Sequence, residues 1–451
     1  MTALAYVIGA LIMLVGIGLS IALHELGHLF PAKKFGLRVP KYMIGFGPTI
    51  FSKKKGETEY GIKLLPLGGY ISMIGMYPPA KDGKERSSRT GMFQQLADEA
   101  KQVEGEQIRP EDDGRLFHQL PIYKRVIIML GGPTMNLLLA FVIFTIVLCG
   151  FGTATPTNKV GEIYQCVLTT EQQQERGLTD ADAGTCQEGD PAGPAYAAGL
   201  RVGDKIVKVN GKAVGTRGWD ALTEQIKVSA GKQMQVTYVR DGESHTTTME
   251  PVAMQRPVTD KFGRVETKAD GTTRSAEVGF AGIGSQVQTL QEPVTAVPGF
   301  VWDNVTNVGR IVVDLPARLV SVAKAAFGTE PRDPDGPMSV VGVGRIAGDV
   351  TAMDGVAVKD KIATYLSLLG SLNIALFVFN LIPLTPLDGG HVIGALWEGL
   401  RKRYNKLFKR KDPGPVDMSK MLPVTYVVAV ALLAMGALLI YADIVKPVVL
   451  G

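Results

Sequence analysis

The sequence predicts a polytopic α-helical membrane protein with four transmembrane helices, a membrane-associated β-loop and an inserted water-exposed α+β domain. Four uncharged apolar runs indicate the helices, at residues 1–23, 126–150, 362–387 and 421–441. Each is close to the roughly 20 residues that cross a hydrocarbon layer. The mean hydropathy of +0.14 and the 46% hydrophobic content are high for a chain that is 20% charged. Mixed composition between the second and third runs indicates the inserted domain.

The predicted segments follow from these runs. In chain order they are a first transmembrane helix (1–30), a cytoplasmic-side β-loop and polar loop (31–125), a second helix (126–150), an extracytoplasmic α+β domain (155–255), an extracytoplasmic amphipathic helical region (256–361), a third helix (362–397), a basic cytoplasmic loop (398–420) and a fourth helix (421–445). A cleaved signal peptide is the alternative for the first run. That run lacks a basic leading segment, and cleavage would strand the His-Glu motif at its end.

Basic loops predict the orientation. Residues 33–63 hold eight Lys/Arg against two glutamates, and residues 401–411 hold seven and no acid. Loops of this kind stay in the cytoplasm, so both termini and residues 151–361 are expected outside. The same loops account for the net charge of +5, and no nucleic-acid partner is expected. Cys166 and Cys186 fall in the outer segment, where a disulfide survives; the sequence leaves their pairing open.

Residues 39–76 predict a β-loop next to the bilayer. They are rich in Gly, aromatic and β-branched residues, with turn signals at Gly47-Pro48 and Lys55-Gly56. Non-helical backbone at membrane depth needs cover from protein or a water-filled cavity, and an open strand edge can pair with an extended peptide. Residues 77–115 are polar and are expected to form a flexible loop with a short helix near 90–103.

Small and polar residues lie at the inner end of the second run. Gly131, Gly132 and Pro133 precede Asn136, and small residues allow close helix approach while an amide can hydrogen-bond to a neighbour. We interpret this group as packing. Farther on, apolar positions recur with helical spacing between residues 301 and 315, which predicts amphipathic helices outside the bilayer.

The outer segment contains an ordered set of turns and elements. A small-residue helical turn, Gly199-Leu200, Gly203-Asp204, a strand and an Asn210-Gly211 turn precede an amphipathic helix and a strand that ends at Asp241-Gly242. This order resembles a PDZ domain from about Lys159 to Val252. The resemblance implies a PDZ-like extracytoplasmic domain, which either binds a peptide by strand addition or acts as a steric plug; both alternatives stay open.

The first run ends in His24-Glu25-Leu26-Gly27-His28. On a helix the two histidines are one turn apart on one face and can reach a single metal, while the glutamate beside them can handle a proton from water. Ionisable groups in a membrane segment are expensive and usually functional. This motif predicts a zinc hydrolase site where water should be scarce.

Catalytic zinc normally takes three protein ligands, so a third must come from elsewhere. Asp388 lies near the cytoplasmic end of the third run, as His24 and His28 do on the first. Asn380, Pro383 and Pro386 should break the helix just before it, leaving open backbone that a substrate could contact. His391, one turn beyond Asp388, is the alternative ligand or a supporting partner; we prefer Asp388.

These elements together resemble the site-2 protease family of intramembrane zinc metalloproteases. The motif at 24–28, Asn380-x-x-Pro383 and Leu387-Asp388-Gly389 carry the resemblance, and LPLGGY (65–70) and GGPTMN (131–136) match further family elements. With its single PDZ-like domain, the chain is similar to the bacterial branch related to the regulator of sigma E protease. Most of the chain is covered; residues 77–115 and 255–360 match weakly.

The resemblance implies that His24, His28 and Asp388 hold Zn²⁺ and that Glu25 is the general base. Asn380 would position the substrate or stabilise the developing oxyanion, and Pro383, with Gly68 and Gly69 of the β-loop, would contact the substrate. It further implies a multi-pass protein of a bacterial inner (plasma) membrane, with its active site towards the cytoplasm. Single-span membrane proteins, such as trimmed anti-sigma factors or remnant signal peptides, would be its substrates.

Two other functions compete with proteolysis. A non-proteolytic PDZ membrane adaptor would use the outer domain to recruit partners and keep a vestigial metal site, but the intact Glu25 argues against it. A metal transporter would need polar residues along a pathway, and the four runs are apolar apart from this site.

Overall fold

The computed structural model describes residues 2–76, 108–168, 172, 176, 186–258, 273–328, 332–333, 336–353, 355–412 and 414–447. These residues form two compact units, Met1–Phe151 with Glu292–Gly451 and Gly152–Gln291. The predicted helix near 90–103 lies outside the described residues.

The helices are numbered in chain order through both units. They are α1 (Thr2–Lys34), α2 (Ile122–Thr145), α3 (Pro194–Ala197), α4 (Trp219–Lys227), α5 (Val297–Val313), α6 (Leu315–Phe327), α7 (Val340–Ala352), α8 (Val358–Asn380), α9 (Asp388–Leu407) and α10 (Leu422–Val445). Among the described residues, four helical stretches are long and apolar enough to cross a membrane: Leu4–Lys34, Ile122–Phe151, Val358–Asn380 and Leu422–Val445. These four stretches coincide with the four apolar runs of the sequence.

The strands are also numbered in chain order through both units. They are β1 (Lys41–Lys55), β2 (Thr58–Ser72), β3 (Thr153–Ile163), β4 (Lys205–Val209), β5 (Lys212–Ala213), β6 (Met234–Arg240), β7 (Glu243–Met249), β8 (Val252–Pro257), β9 (Ser275–Phe280) and β10 (Ile283–Leu290). Of the strands among the described residues, β1 and β2 belong to the unit that holds the membrane-length helices.

The predicted β-loop is the β1–β2 hairpin. Residues 41–44 pair with 69–72 on one side and with 59–62 on the other, so the two long strands fold into several short ones. The chain turns at Gly56, whose φ of +63° suits glycine, as the sequence predicts. Gly47-Pro48 lies inside β1, where the register shifts. The Tyr42 hydroxyl donates to the Ala22 carbonyl at 2.7 Å and fixes the hairpin on α1.

The chain breaks as expected before Asp388. Helix α8 ends at Asn380, residues 381–387 form turns, and α9 begins at Asp388. Proline lacks the N–H that a continuing helix would need, and it restricts the residue before it. The third apolar run extends to residue 387, but its helix ends seven residues earlier, at Asn380.

Two predicted segments differ from the structure. Residues 252–257, 275–280 and 283–290 form β8, β9 and β10, so the strand-rich unit extends to Gln291 and the predicted helical region starts only at α5. Strand β10 pairs with β3, more than a hundred residues earlier in the chain, and such pairing leaves no local signal. Residues 398–407, predicted as loop, continue α9 because an apolar stripe persists among the bases.

Helix α7 packs against the first half of α1. A Cβ on Gly9 would lie 2.6 Å from the Ala347 carbonyl oxygen, and one on Gly348 would lie 2.4 Å from the Tyr6 ring. The small residues let the two helices approach closely. Helices α5 and α6 also contact membrane-length helices, α5 on α2 and α8 and α6 on α10. That residues 256–361 lie outside the bilayer stays a prediction.

The second unit, Gly152–Gln291, has a sheet with strand order β10-β3-β4-β6-β7, with β5 paired to β4. Its turns at Asn210-Gly211 and Asp241-Gly242 have positive φ throughout, as the sequence predicts. Buried apolar side chains of β4, α4 and β6 form its core. Cys166 and Cys186 form a disulfide, which resolves the pairing that the sequence left open.

Candidate metal centre

His24 and His28 lie one turn apart on α1, with their Nε2 atoms 3.3 Å apart. Between them, Gly27 faces Gly131 of α2, and a Cβ on either glycine would lie within 2.3 Å of the other's carbonyl oxygen. This close approach brings α2 against the histidine face of α1. The small residues of GGPTMN therefore do pack a helix interface, as the sequence indicated.

Asp388 is the first residue of α9, and two glycines follow it. A Cβ on Gly389 would meet the Ile382 carbonyl oxygen at 2.4 Å, and one on Gly390 would meet the Thr385 nitrogen at 2.5 Å. Without side chains at these positions, the start of α9 folds back onto residues 381–387. Asp388 Oδ2 is thereby placed 3.4 Å from His24 Nε2 and 3.3 Å from His28 Nε2.

The three ligand atoms fit a tetrahedral metal. Ligands about 2.0–2.1 Å from a tetrahedral zinc ion lie about 3.3–3.4 Å from one another, and the three separations here are 3.3, 3.4 and 3.3 Å. Asp388 Oδ2 is buried and makes no hydrogen bond among the described residues. The donor set of two imidazoles and one carboxylate suits zinc, so His24, His28 and Asp388 could hold the ion.

The neighbouring histidines keep the Asp388 carboxylate in the form that binds a metal. Burial alone would raise the pKa of Asp388, but its interactions with His24 and His28 outweigh burial and lower that pKa. The carboxylate is therefore ionised, as a metal ligand must be. Burial lowers the pKa of His391, one turn farther along α9. His391, the alternative ligand, is not part of the three-residue group among the described residues.

Helix α2 also holds both imidazole rings. His28 Nδ1 lies 2.8 Å from the Ile128 carbonyl oxygen, to which it donates, so its Nε2 is the nitrogen left for a metal. His24 Nδ1 lies 3.0 Å from the side-chain amide of Asn136. Metal on Nε2 requires a proton on Nδ1, and an amide can turn its oxygen towards that proton. Such partners set the orientation and tautomer of metal-binding histidines.

The sequence predicts a packing role for Asn136, and the structure places this side chain against a candidate ligand. Asn136 is fully buried, with Oδ1 lacking a hydrogen-bond partner among the described residues. A buried amide in an apolar run needs a partner, and that requirement was the available signal. Gly132 has a similar role: a Cβ there would lie 2.2 Å from His28 Nε2, so only glycine leaves room for the ring.

Glu25 is on α1, and its side chain faces the β1–β2 hairpin. The backbone of Ile71 hydrogen-bonds to its carboxylate, and a Cβ on Gly69 would lie 3.0 Å from its Cγ. Burial, and next the charge of Glu25, raise the pKa of Tyr42 to about 12, so this neighbouring hydroxyl stays protonated. The hairpin thus brings Gly69 against the candidate base.

The contacts described for the remaining predicted site residues are local ones. Gly68, with φ of +125°, faces the Phe46 ring within the hairpin. The Asn380 amide donates to the Leu376 carbonyl one turn back in α8, and Pro383 is exposed in the 381–387 turn. The described contacts therefore give these three residues local roles.

Two histidines and an adjacent glutamate on a membrane-length helix lie beside a carboxylate at the start of α9, and this arrangement is a candidate metallohydrolase centre within a membrane protein. The chain belongs to peptidase family M50, the site-2 proteases, whose profile matches residues 12–411. It is a zinc metalloprotease of the kind that carries out intramembrane proteolysis.

Three relatives with similar sequences match between 85% and 98% of this chain. Zinc metalloprotease Rip1 of Mycobacterium bovis is 31% identical over 451 residues, covering 98% of each chain. Metalloprotease MmpA of Caulobacter vibrioides is 27% identical, covering 88% of this chain and 89% of its own. Regulator of sigma-W protease RasP of Bacillus subtilis is 26% identical, covering 85% and 88%.

Proposed function

We propose that this protein hydrolyses peptide bonds in or near the transmembrane segment of single-span membrane proteins. The carrying observation is a set of three ligand atoms 3.3–3.4 Å apart beside Glu25, at the end of a membrane-length helix. A relative named for regulating a sigma factor supports trimmed anti-sigma factors as one substrate class. Remnant signal peptides, which are short membrane-spanning segments, are the other.

We assign His24, His28 and Asp388 as the zinc ligands and Glu25 as the general base. Bound zinc supplies Lewis acidity, which polarises the scissile carbonyl and activates water for attack. Glu25 takes the proton of the attacking water and returns it to the leaving nitrogen. Asn136 and the Ile128 carbonyl hold the two imidazoles, so the ligand face stays fixed while the proton moves.

The β1–β2 hairpin is the proposed substrate clamp. Helical peptide bonds are shielded by their own hydrogen bonds, so a substrate must be unwound before attack. Gly68 and Gly69 lie on the hairpin segment next to Glu25, and an extended peptide can add to such a strand by main-chain hydrogen bonds. Asn380 and Pro383, where α8 ends, would contact the opposite side of the peptide.

The proposed orientation puts both termini and the Gly152–Gln291 unit outside the cell, with the metal centre towards the cytoplasm. Basic residues at 33–63 and 401–411 support it, and so does the Cys166–Cys186 disulfide, since disulfides persist in oxidising compartments. We assign the unit as a PDZ-like domain because its helical turn, strands and two Gly turns follow the predicted order. Either peptide binding or exclusion of bulky substrates fits that assignment.

Glu25→Gln tests the proposal directly. The purified protein is reconstituted with a single-span test substrate, and cleavage and zinc content are measured for wild type and variant. We expect the variant to keep zinc and to lose cleavage by at least about 100-fold, the usual contribution of a general base. A zinc-loaded variant that cleaves at the wild-type rate would refute the mechanism. Cleavage by neither protein would favour the adaptor function.

Asp388→Asn tests the third ligand. We expect it to lower zinc content, whereas His391→Gln should leave zinc content near the wild-type level. If His391→Gln lowered zinc content and Asp388→Asn did not, His391 would be the third ligand.

A further inference from the structure

Helix α9 presents an exposed apolar stripe. Trp397, Leu400 and Leu407 are 57%, 61% and 77% exposed. The stripe also includes further large side chains at helical spacing: Ile393, Leu396 and Tyr404. The opposite face is buried, and its Glu398 forms a two-point ion pair with Arg125 of α2 at 2.7 and 3.0 Å. One face of α9 is therefore fixed to the protein, and the other is open.

Bases flank and follow this stripe. Arg403 and Lys406 lie on the helix and Lys409, Arg410 and Lys411 directly after it; all five are exposed. On a helical projection the stripe spans Ile393 to Leu407 on one side, and residues 401–411 contain seven bases and no acid. A helix with Trp and Leu along its exposed face and Lys and Arg beside and after them is suited to lie in a membrane interface.

The chain itself holds α9 near the bilayer. Only seven residues, 381–387, join it to the membrane-length α8, and seven residues span at most about 25 Å. The helix α10, also of membrane length, begins at Leu422. An apolar stripe at this position is expected to meet acyl chains, with tryptophan at the headgroup level.

We propose that the exposed face of α9 binds anionic phospholipid headgroups, with its apolar stripe inserted and its bases paired to phosphate. The uniform positive charge selects anionic over zwitterionic lipid, because each base near a negative surface adds attraction. Since Asp388 is the first residue of α9, lipid contact steadies the helix that carries this carboxylate. The effect on Asp388 rests on the proposed function, whereas the lipid contact itself does not.

Trp397 provides a direct test. The chain has three tryptophans, so Trp219→Phe with Trp302→Phe leaves Trp397 as the reporter. The protein, in a Glu25→Gln background, is reconstituted in phosphatidylcholine vesicles with 30 mol% phosphatidylglycerol as roughly the native anionic range. Either lipid is supplied in brominated form at equal mole fraction, and quenching of Trp397 is compared.

We expect brominated phosphatidylglycerol to quench about twice as strongly as brominated phosphatidylcholine. Neutralising the five bases to Gln should remove this difference, and Lys406→Arg with Lys409→Arg and Lys411→Arg should keep it. Equal quenching by both lipids in wild type would overturn the proposal. Absence of quenching by either lipid would also overturn it, because a second protein copy would then cover the stripe.

A second measurement tests the effect on Asp388. In the active protein, cleavage should rise with phosphatidylglycerol content for wild type and stay flat for the neutralised variant, with equal rates in pure phosphatidylcholine. A rate that rises equally in both proteins would refute the coupling. Loss of the proposed protease function would leave the quenching result intact, so the two failures are distinguishable.

Discussion

The side-chain amide of Asn136 lies 3.0 Å from Nδ1 of His24, while Nε2 of the same ring lies 3.4 Å from Asp388. One nitrogen of the imidazole is thus held by α2 and the other faces the candidate metal position. The ring can bind a metal through Nε2 only in the tautomer with a proton on Nδ1, and Asn136 accepts from that proton once its amide turns Oδ1, in place of Nδ2, towards the ring.

Replacing Asn136 should weaken zinc binding. We expect Asn136→Ala to raise the zinc dissociation constant about 10–100-fold, the usual effect of losing such a partner. Asn136→Asp keeps an acceptor and should lose less. Chelator competition measures both, and Asn304→Ala on α5, whose amide bonds within its own helix, is the control. Unchanged affinity in Asn136→Ala would show that His24 is oriented by something else.

Gly132→Ala should disturb His28. The added Cβ would lie 2.2 Å from Nε2, so the ring or α2 must shift. We expect zinc affinity to fall at least about tenfold, since small displacements of a ligand are poorly tolerated. Gly436→Ala is the matched control, because a Cβ there meets nothing within 4 Å in another membrane-length helix. Equal zinc affinity in the two variants would contradict the observed packing.

The Arg125–Glu398 pair should make stability depend on pH. Burial acts to raise the pKa of Glu398, but hydrogen bonds from Arg125, Lys402 and the Val416 N–H outweigh it and hold the pKa at about 2. A carboxyl group with a depressed folded-state pKa stabilises the fold fully above its unfolded value, about 4.3, and loses that contribution as pH falls towards about 2.

Glu398→Gln should remove this pH-dependent contribution. It leaves Arg125 buried without a counter-charge, and we expect a loss of about 3–5 kcal/mol in the free energy of unfolding at pH 7. Thermal unfolding of the detergent-purified protein, recorded between pH 7 and 3, measures both effects. The difference in the free energy of unfolding between wild type and variant should narrow below pH about 4.3. A difference that stays constant with pH would rule out Glu398 as the source of the pH dependence.

A second buried ion pair joins α10 to the segment before α7. Asp443 Oδ1 lies 2.6 Å from Arg332 Nη1, and the two side chains are 2% and 4% exposed. Asp443 Oδ2 also accepts hydrogen bonds from the Ser339 N–H and hydroxyl. Asp443→Asn should lower the free energy of unfolding by about 3–5 kcal/mol because Arg332 stays buried and charged.

Replacing both members of this pair should restore most of the loss. Arg332→Met with Asp443→Leu leaves no buried charge, and apolar replacement of an ion pair is often neutral. Asp349→Asn is the control: its pair with Arg345 is half-exposed and 4.0 Å long, so little change is expected. A double variant as unstable as Asp443→Asn would mean that packing, rather than charge, dominates at this position.

Local chemistry made much of this protein predictable. Membrane-length helices need only a long apolar run, the break before Asp388 needs only its prolines, and the turns at Gly56, Gly211 and Gly242 need only glycine. The sequence does not predict strand β10, because β10 pairs with β3, far away in the chain. The extension of α9 to Leu407 was missed because its bases outnumber its apolar residues.

The amino-acid sequence is enough to find the His-Glu motif at 24–28, the acid at 388 and the apolar runs that place both at a membrane. These features are local, because they depend on spacing along one helix face or on a nearby helix break. The folded structure is needed to show that Asp388, rather than His391, completes the three-atom group, and that Asn136 and Ile128 hold the imidazoles. Those contacts join residues about 100 to 360 positions apart, and their distances follow from how closely glycines let α1, α2 and the start of α9 approach.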